Sequence, residues 1–280
     1  MKLYKFRPLV RFPRKDCGFD CNRYCGSQRS ECDYWRLKHI IETGEFWCSP
    51  YYELNDPMEG VYRVTPGTIQ PLQEHIAGLK SGVRVASLSS CRVLKSLPMW
   101  GYYGGGFRGA VVEIETKVVP LDQCRCDGSV VQVDYVSQDA WSNGANPLGG
   151  ANARQQPSDP HMMALRILTT KLNVWEHEHE YRFLIESPNS QHKIGQITGV
   201  YISRPYPRTL RRHGKSIAME RLCRLAECTK ELWNHARCRC IATYCVTVRG
   251  GKIVCRRYGN DPTMRAVSMC IAHIEATRES

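Results

Sequence analysis

The residues best equipped for chemistry lie in the run Glu178-His179-Glu180-Tyr181-Arg182, which sits inside Trp175-Glu176-His177-Glu178-His179-Glu180-Tyr181-Arg182-Phe183-Leu184-Ile185. Read as a strand, it puts Glu178, Glu180 and Arg182 on one face. Tyr181, Phe183 and Ile185 then take the other, the expected core face. Carboxylates spaced two apart on a strand lie within about 7 Å and repel, unless a cation sits nearby. Such a pair suits a reaction that develops positive charge, or one that needs an acid and a base. Two plainer readings stand beside it. One is a surface strand in which Arg182 bridges Glu180. The other is a metal set drawn from Glu176, His177, Glu178 and His179, although the His-Glu-X-X-His spacing is absent.

A second cluster of chemistry-bearing residues is Cys17-X3-Cys21-X3-Cys25-X6-Cys32. Four thiolates would close a tetrahedron around structural zinc, with reduced, unliganded thiols as the alternative, since the ligands do not pair as two knuckles. The pairs Cys124/Cys126 and Cys238/Cys240 are weaker metal candidates. Gly104-Gly105-Gly106 is too loose for a phosphate loop and reads as a turn.

The elements that must position these residues follow from periodicity. Leu3 to Phe6 reads as a first strand, and residues 8–32 as an irregular segment. Trp35, Leu37, Ile40 and Ile41 fit a helix ended by Gly44. An extended segment from Phe46 runs to the turn Asn55-Asp56-Pro57, and Ile69, Leu72, Ile76 and Leu79 mark a helix stopped by Gly82. Strands are predicted over Val83–Ser89, Ala110–Glu115, Val130–Val136, Glu178–Glu186 and Val200–Ser203. Residues 138–160 read as a polar loop and His161–Lys171 as a helix. Further helices are predicted over Ile217–Cys228 and Met264–Ala276, with a hairpin at Gly250-Gly251. This mixture lacks regular alternation, so the expected class is α+β, mixed and mostly antiparallel sheets flanked by short helices.

Bulk properties bound the rest. The 280 residues can bury a substantial core, as one domain or one with an appendage. No apolar run is long enough to span a membrane, and Met1-Lys2-Leu3-Tyr4-Lys5-Phe6-Arg7 lacks a signal peptide's apolar stretch, which predicts a cytoplasmic protein. The 15 cysteines are then expected to be reduced or metal-bound. The net charge of +12 is uneven: residues 204–280 carry sixteen Lys and Arg, thirteen of them Arg, against six Asp and Glu. Arginine's planar fork suits phosphate, so a polyanionic partner, DNA or RNA, is expected; a merely solvated basic surface is the alternative.

Several separated segments together resemble an uncharacterised bacterial and phage family, a domain of unknown function. They are Leu3-Tyr4-Lys5-Phe6-Arg7, Asn55-Asp56-Pro57-Met58-Glu59, Met99-Trp100 with Tyr103, Gly109 to Glu115, the Lys171/Trp175/Glu178/Glu180/Arg182 pattern and Ile197 to Ile202. The resemblance covers roughly residues 1–203; the Cys-rich stretch 14–33 departs from it as an insertion. The order Arg7, Ser87-X-Ser89, Glu178-X-Glu180 also resembles the arginine–serine–glutamate layout of ADP-ribosyltransferases. That second resemblance implies a split β core over residues 1–203, completed by the basic extension 204–280, and NAD as substrate. It implies that Arg7 holds the NAD pyrophosphate and that Ser89, beside Ser87, orients the catalytic Glu180. Glu178 would position or deprotonate the acceptor, and Tyr102 or Tyr103, in the run with Trp100, would stack on nicotinamide. A toxin or phage-defence effector, with an antitoxin or regulator as partner, fits that activity. Plainer roles are a surface cation for Arg7, core strand positions for Ser87 and Ser89, and packing for the aromatic run. The competing functions are a non-catalytic nucleic-acid-binding or interaction protein and a metal-dependent nuclease using Glu178, Glu180 and a histidine.

Overall fold

A computed structural model describes residues 1–9, 33–54, 70–139, 159–203 and 229–257. The expected turn at Asn55-Asp56-Pro57, nearly all of the 138–160 loop, and the helices Ile217–Cys228 and Met264–Ala276 lie outside them, as do Cys17, Cys21, Cys25 and Cys32. In chain order the elements are β1 (Lys2–Pro8), α1 (Asp33–Thr43), β2 (Glu45–Trp47), β3 (Ser49–Pro50), α2 (Gln70–Gly82), β4 (Val83–Ser89), α3 (Leu97–Tyr102), β5 (Gly109–Glu115), β6 (Asp127–Gln132) and β7 (Asp134–Val136). They continue with α4 (Pro160–Thr169), β8 (Thr170–Leu172), β9 (Glu180–Glu186), β10 (Gln191–Lys193), β11 (Gln196–Ser203), α5 (helical over 229–238), β12 (Ala242–Arg249) and β13 (Lys252–Arg257). The class is α+β, with mostly antiparallel sheet and few helices. Among the described residues no helix is long and apolar enough to cross a membrane.

The chain divides into two compact units. The first comprises Met1–Leu3, Glu45–Val93 and Glu115–Gln196. Its sheet centres on β9, which pairs antiparallel with β4 on one side and β6 on the other; β3 adds to β4. Val83, Val85, Val131 and Leu184 form the sheet's apolar side, covered by Leu165 and Leu168 of α4. The opposite stripe of α4, Met163, Ala164 and Ile167, packs on Ile76 of α2. One helix thus serves two cores.

The entry to α4 follows its sequence. Asp159 caps the amide of His161 at 2.9 Å and Pro160 takes the first turn, where its missing N–H costs nothing. The expected helix to Lys171 stops at Thr169. Thr169 and Thr170 turn their hydroxyls back to the carbonyls of Leu165 and Arg166, at 2.8 and 2.7 Å. The chain leaves as β8, parallel to β7. The single strand expected over Val130–Val136 is likewise two: β6 follows β9, and after Val133 the chain turns aside as β7 to follow β8.

The second unit comprises Tyr4–Gly44, Leu94–Ile114 and Ile197–Ser280. Its strands run in the order β13-β12-β11-β5-β1. β11 and β12 are parallel, while β12 and β13 form the expected hairpin. Gly250 and Gly251 sit at φ +54° and +74°, the left-handed pair that a tight two-residue turn demands. Beneath the strands, Trp100 meets Phe6 edge-on at 5.3 Å and stacks on Phe107 at 5.8 Å. Gly104 has to be glycine, because a Cβ there would come within 2.8 Å of the Trp100 ring. α1 and α5 are joined by Lys38 to Glu231 at 3.3 Å and by His235, which lies 3.4 Å from both Glu42 and Glu231.

Candidate active site

The first unit gathers four charged side chains in its interior. Lys171 comes from β8, Glu178 from the end of a 3-10 turn (Asn173–Glu178), and Glu180 and Arg182 from the start of β9. All four are at most 6% exposed. The Lys171 ammonium bridges the two carboxylates, 2.8 Å from Glu178 Oε2 and 3.0 Å from Glu180 Oε2. Arg182 Nε donates to Glu180 Oε1 at 3.0 Å, and its Nη1 donates to the carbonyl of Leu168 in α4. Trp175 offers its ring to the same ammonium, 5.2 Å from the centroid.

Two features of the local chain build this cluster. His179 adopts the left-handed conformation, φ +43° and ψ +53°, which ends the 3-10 turn and swings the chain into β9. Glu178 therefore stands off the strand and reaches Lys171 from the turn. The expected continuous strand from Glu178 to Glu186 is corrected accordingly. The expected faces are corrected as well. Glu180 and Arg182 are buried, whereas Tyr181 and Ile185 are only half-buried. β9 is flanked by strands on both edges, and four formal charges that sum to zero let its polar face be covered.

Glu180 is fixed on every side. Burial pushes its carboxyl up, but the Arg182 and Lys171 charges, with hydrogen bonds from Arg182 and Ser87, outweigh burial and hold its pKa at about 2. Its amide donates to the Tyr135 hydroxyl at 2.9 Å, and its carbonyl accepts from Val133 at 3.1 Å. Burial drives Tyr135 itself up to about 12, so it remains a phenol at neutral pH. On β4, Ser89 stands opposite Glu180 and Ser87 opposite Arg182. The structure thus brings Ser87, Ser89, Glu178 and Glu180 into one neighbourhood and adds Lys171, Arg182 and Tyr135. Lys171 and Tyr135 meet because β7 and β8 pair in register, a long-range match with no local signature.

The other residues expected to bind NAD, Arg7, Trp100, Tyr102 and Tyr103, belong to the second unit. Arg7, on β1, and Tyr103 are half-buried, and Tyr102 is 73% exposed. Trp100, expected beside a cofactor, is wholly buried; its ring is taken up by Phe6 and Phe107, and its Nε1 donates to the Leu94 carbonyl at 2.9 Å. That unit also holds a polar cluster that no sequence motif announces. Glu113 of β5 accepts from Tyr4 and Tyr201 at 3.0 and 2.9 Å and from Thr198 at 2.7 Å, and Tyr201 stacks on Tyr244 with centroids 4.3 Å apart. Among the described residues no group of three or more His, Cys, Asp or Glu is arranged to hold a metal ion.

Comparison of the chain with models of known families, with curated proteins and with solved structures finds no match.

Proposed function

We propose that this protein is an NAD-consuming ADP-ribosyltransferase of the cytoplasm that modifies a macromolecular acceptor, with Glu180 as its catalytic residue. The observation that carries the reading is an ionised carboxylate in a desolvated interior, hydrogen-bonded by a serine of the neighbouring strand and flanked by a second glutamate. Loss of nicotinamide leaves positive charge on the ribose, and a fixed anion in a low-dielectric setting stabilises that charge. In this role Glu180 accepts a ribose hydroxyl and faces the oxocarbenium-like centre. Glu178 orients or deprotonates the acceptor. A ribose hydroxyl reaches Glu180 Oε2 only as Lys171 releases it, because Arg182 and Lys171 engage both oxygens. Toxin or phage-defence use, with an antitoxin as partner, is in keeping with such an activity.

The same closure favours a second reading, in which the four charges are structural and the protein acts by binding a polyanion. Glu180 is 3% exposed and Glu178 4%. Meanwhile residues 229–257 carry seven Lys and Arg against one acidic residue, and Arg237, Arg239, Arg249, Lys252 and Arg257 are exposed. Incubation with labelled NAD separates the two. The first reading expects nicotinamide release or a labelled acceptor, reduced at least 100-fold in Glu180→Gln, on the scale of losing one transition-state contact. A thermal shift of the wild-type protein by NAD tests binding without any variant. No shift and no release, with nucleic acid bound tightly, gives the second reading.

A further inference from the structure

The hairpin of β12 and β13 carries a charged face that the proposed catalytic site does not use. Its register sets Arg249 opposite Lys252, Thr247 opposite Val254 and Cys245 opposite Arg256. Directly paired residues share a face and successive ones alternate. Arg249, Lys252 and Arg256 therefore lie on one side, with Thr247 and Val254 between them. The other side is apolar, with Val246 and Ile253 buried and Val248 half-buried. On the charged side Arg249 and Lys252 are exposed, and Thr247, Val254 and Arg256 are half-buried. Residues 242–257 include no Asp or Glu, and no carboxylate among the described residues pairs with these three cations. Like charges directly opposite on a ladder are destabilising, so the Arg249–Lys252 rung is a local repulsion that a bound anion would relieve. Pairing of β12 with β11 stops at Val246. Beyond it, Thr247–Arg249 and Lys252–Val254 form a two-stranded ribbon.

We propose that this face binds B-form duplex DNA, laid into the major groove. The proposal deepens the polyanion-binding reading, on which it rests for the sign of its partner, and it stands whether or not Glu180 is catalytic. A two-stranded ribbon fits that groove, which is about 12 Å wide. Lys252 and Arg256 stand about 13 Å apart along β13, so the cations reach phosphates on both rims. Thr247 and Val254 then face the base edges. The threonine hydroxyl can exchange hydrogen bonds there, and the valine can contact a thymine methyl. Two other nucleic acids fit less well. Duplex RNA presents a major groove too deep and narrow for side chains to read. Single strands are held by stacking on aromatic rings, and Cys245, Thr247, Arg249, Lys252, Val254 and Arg256 supply none.

The test titrates the full chain against one labelled sequence as duplex DNA, single-stranded DNA and duplex RNA, read by fluorescence anisotropy. Duplex DNA is expected to bind tightest; single-stranded DNA or duplex RNA binding as well would overturn the proposal. At about 0.1 M salt, losing three phosphate contacts in Arg249→Gln/Lys252→Gln/Arg256→Gln should weaken duplex binding roughly 100-fold or more. Should that variant fail to fold by circular dichroism, Arg249→Gln/Lys252→Gln, confined to the exposed tip, is expected to lose roughly 10-fold or more. Lys117→Gln/Arg166→Gln/Lys193→Gln removes the same charge from exposed positions of the first unit and should have little effect. An equal loss there would reduce the effect to net charge and overturn the hairpin assignment. Bulky substituents on thymine C5, which project into the major groove, should block binding; unimpeded binding would overturn the groove assignment. Wild-type protein that binds none of the three nucleic acids removes the polyanion reading together with this one. Tight duplex binding untouched by the hairpin variants keeps that reading and removes only the hairpin.

Discussion

Glu180 is depressed to about 2 against an ordinary carboxyl near 4.5. A carboxyl lowered by folding contributes stability above its unfolded pKa and loses it as the pH falls through the folded value. One pH unit between the two values corresponds to about 1.4 kcal/mol, so this side chain's share is about 3 kcal/mol, fading between pH 4.5 and about 2. In urea denaturation, Glu180→Gln is expected to be less stable than wild type at neutral pH and to converge on it toward pH 2; a gap constant with pH would refute the assignment. Lys171 gives the complementary case. Lys171→Met leaves Glu178 and Glu180 sharing a buried space without their common cation, at a cost of about 3–5 kcal/mol. Adding Glu178→Gln should restore part of that loss, because the like-charge conflict is gone. A double-mutant cycle reads the coupling directly, and strict additivity would show that the ammonium does not bridge the two.

Elements decide how the charged residues meet. The paired strands β7 and β8 bring Tyr135 beside Lys171, and Tyr135 accepts the first amide of β9. Tyr135→Phe is expected to cost about 1–3 kcal/mol, the range for a buried donor left without its acceptor, measured by the urea midpoint. At Gly104, alanine would drive a methyl into the stack of Trp100 on Phe107, so Gly104→Ala should lower the melting temperature, whereas Gly101→Ala, with open space around it, should not. The sequence marked α1, α2, β4, β5 and the β12–β13 hairpin well, because apolar period, caps and glycines act within a few residues. It misplaced Glu178 and the buried face of β9 for a different reason. Whether a glutamate-bearing face is covered depends on a lysine and a leucine carbonyl that arrive from β8 and α4, and alternation along one strand carries no record of them. No helix was expected over 229–238, where α5 is seen; the expected helix Ile217–Cys228 lies outside the described residues.

At the scale of the whole molecule, charge is the dominant feature. Residues 204–280 hold a balance of +10, and the exposed Arg249 and Lys252 flank the hairpin turn. If they meet phosphates, each neutralised contact contributes about 0.9 to the slope of log affinity against log salt. Arg249→Glu with Lys252→Glu should flatten that slope by nearly 2 in a duplex DNA titration; an unchanged slope would move the contact elsewhere. The hydroxyl cluster in the second unit has a consequence for alkaline solutions. Burial and the Glu113 carboxylate push Tyr201 far above the ordinary phenol range. Phenolate formation followed in the ultraviolet should therefore split into a gradual phase from tyrosines in contact with solvent and a late, abrupt one. That abrupt rise would coincide with loss of the sheet's circular dichroism, and it would let one chromophore report when β5 and β11 part.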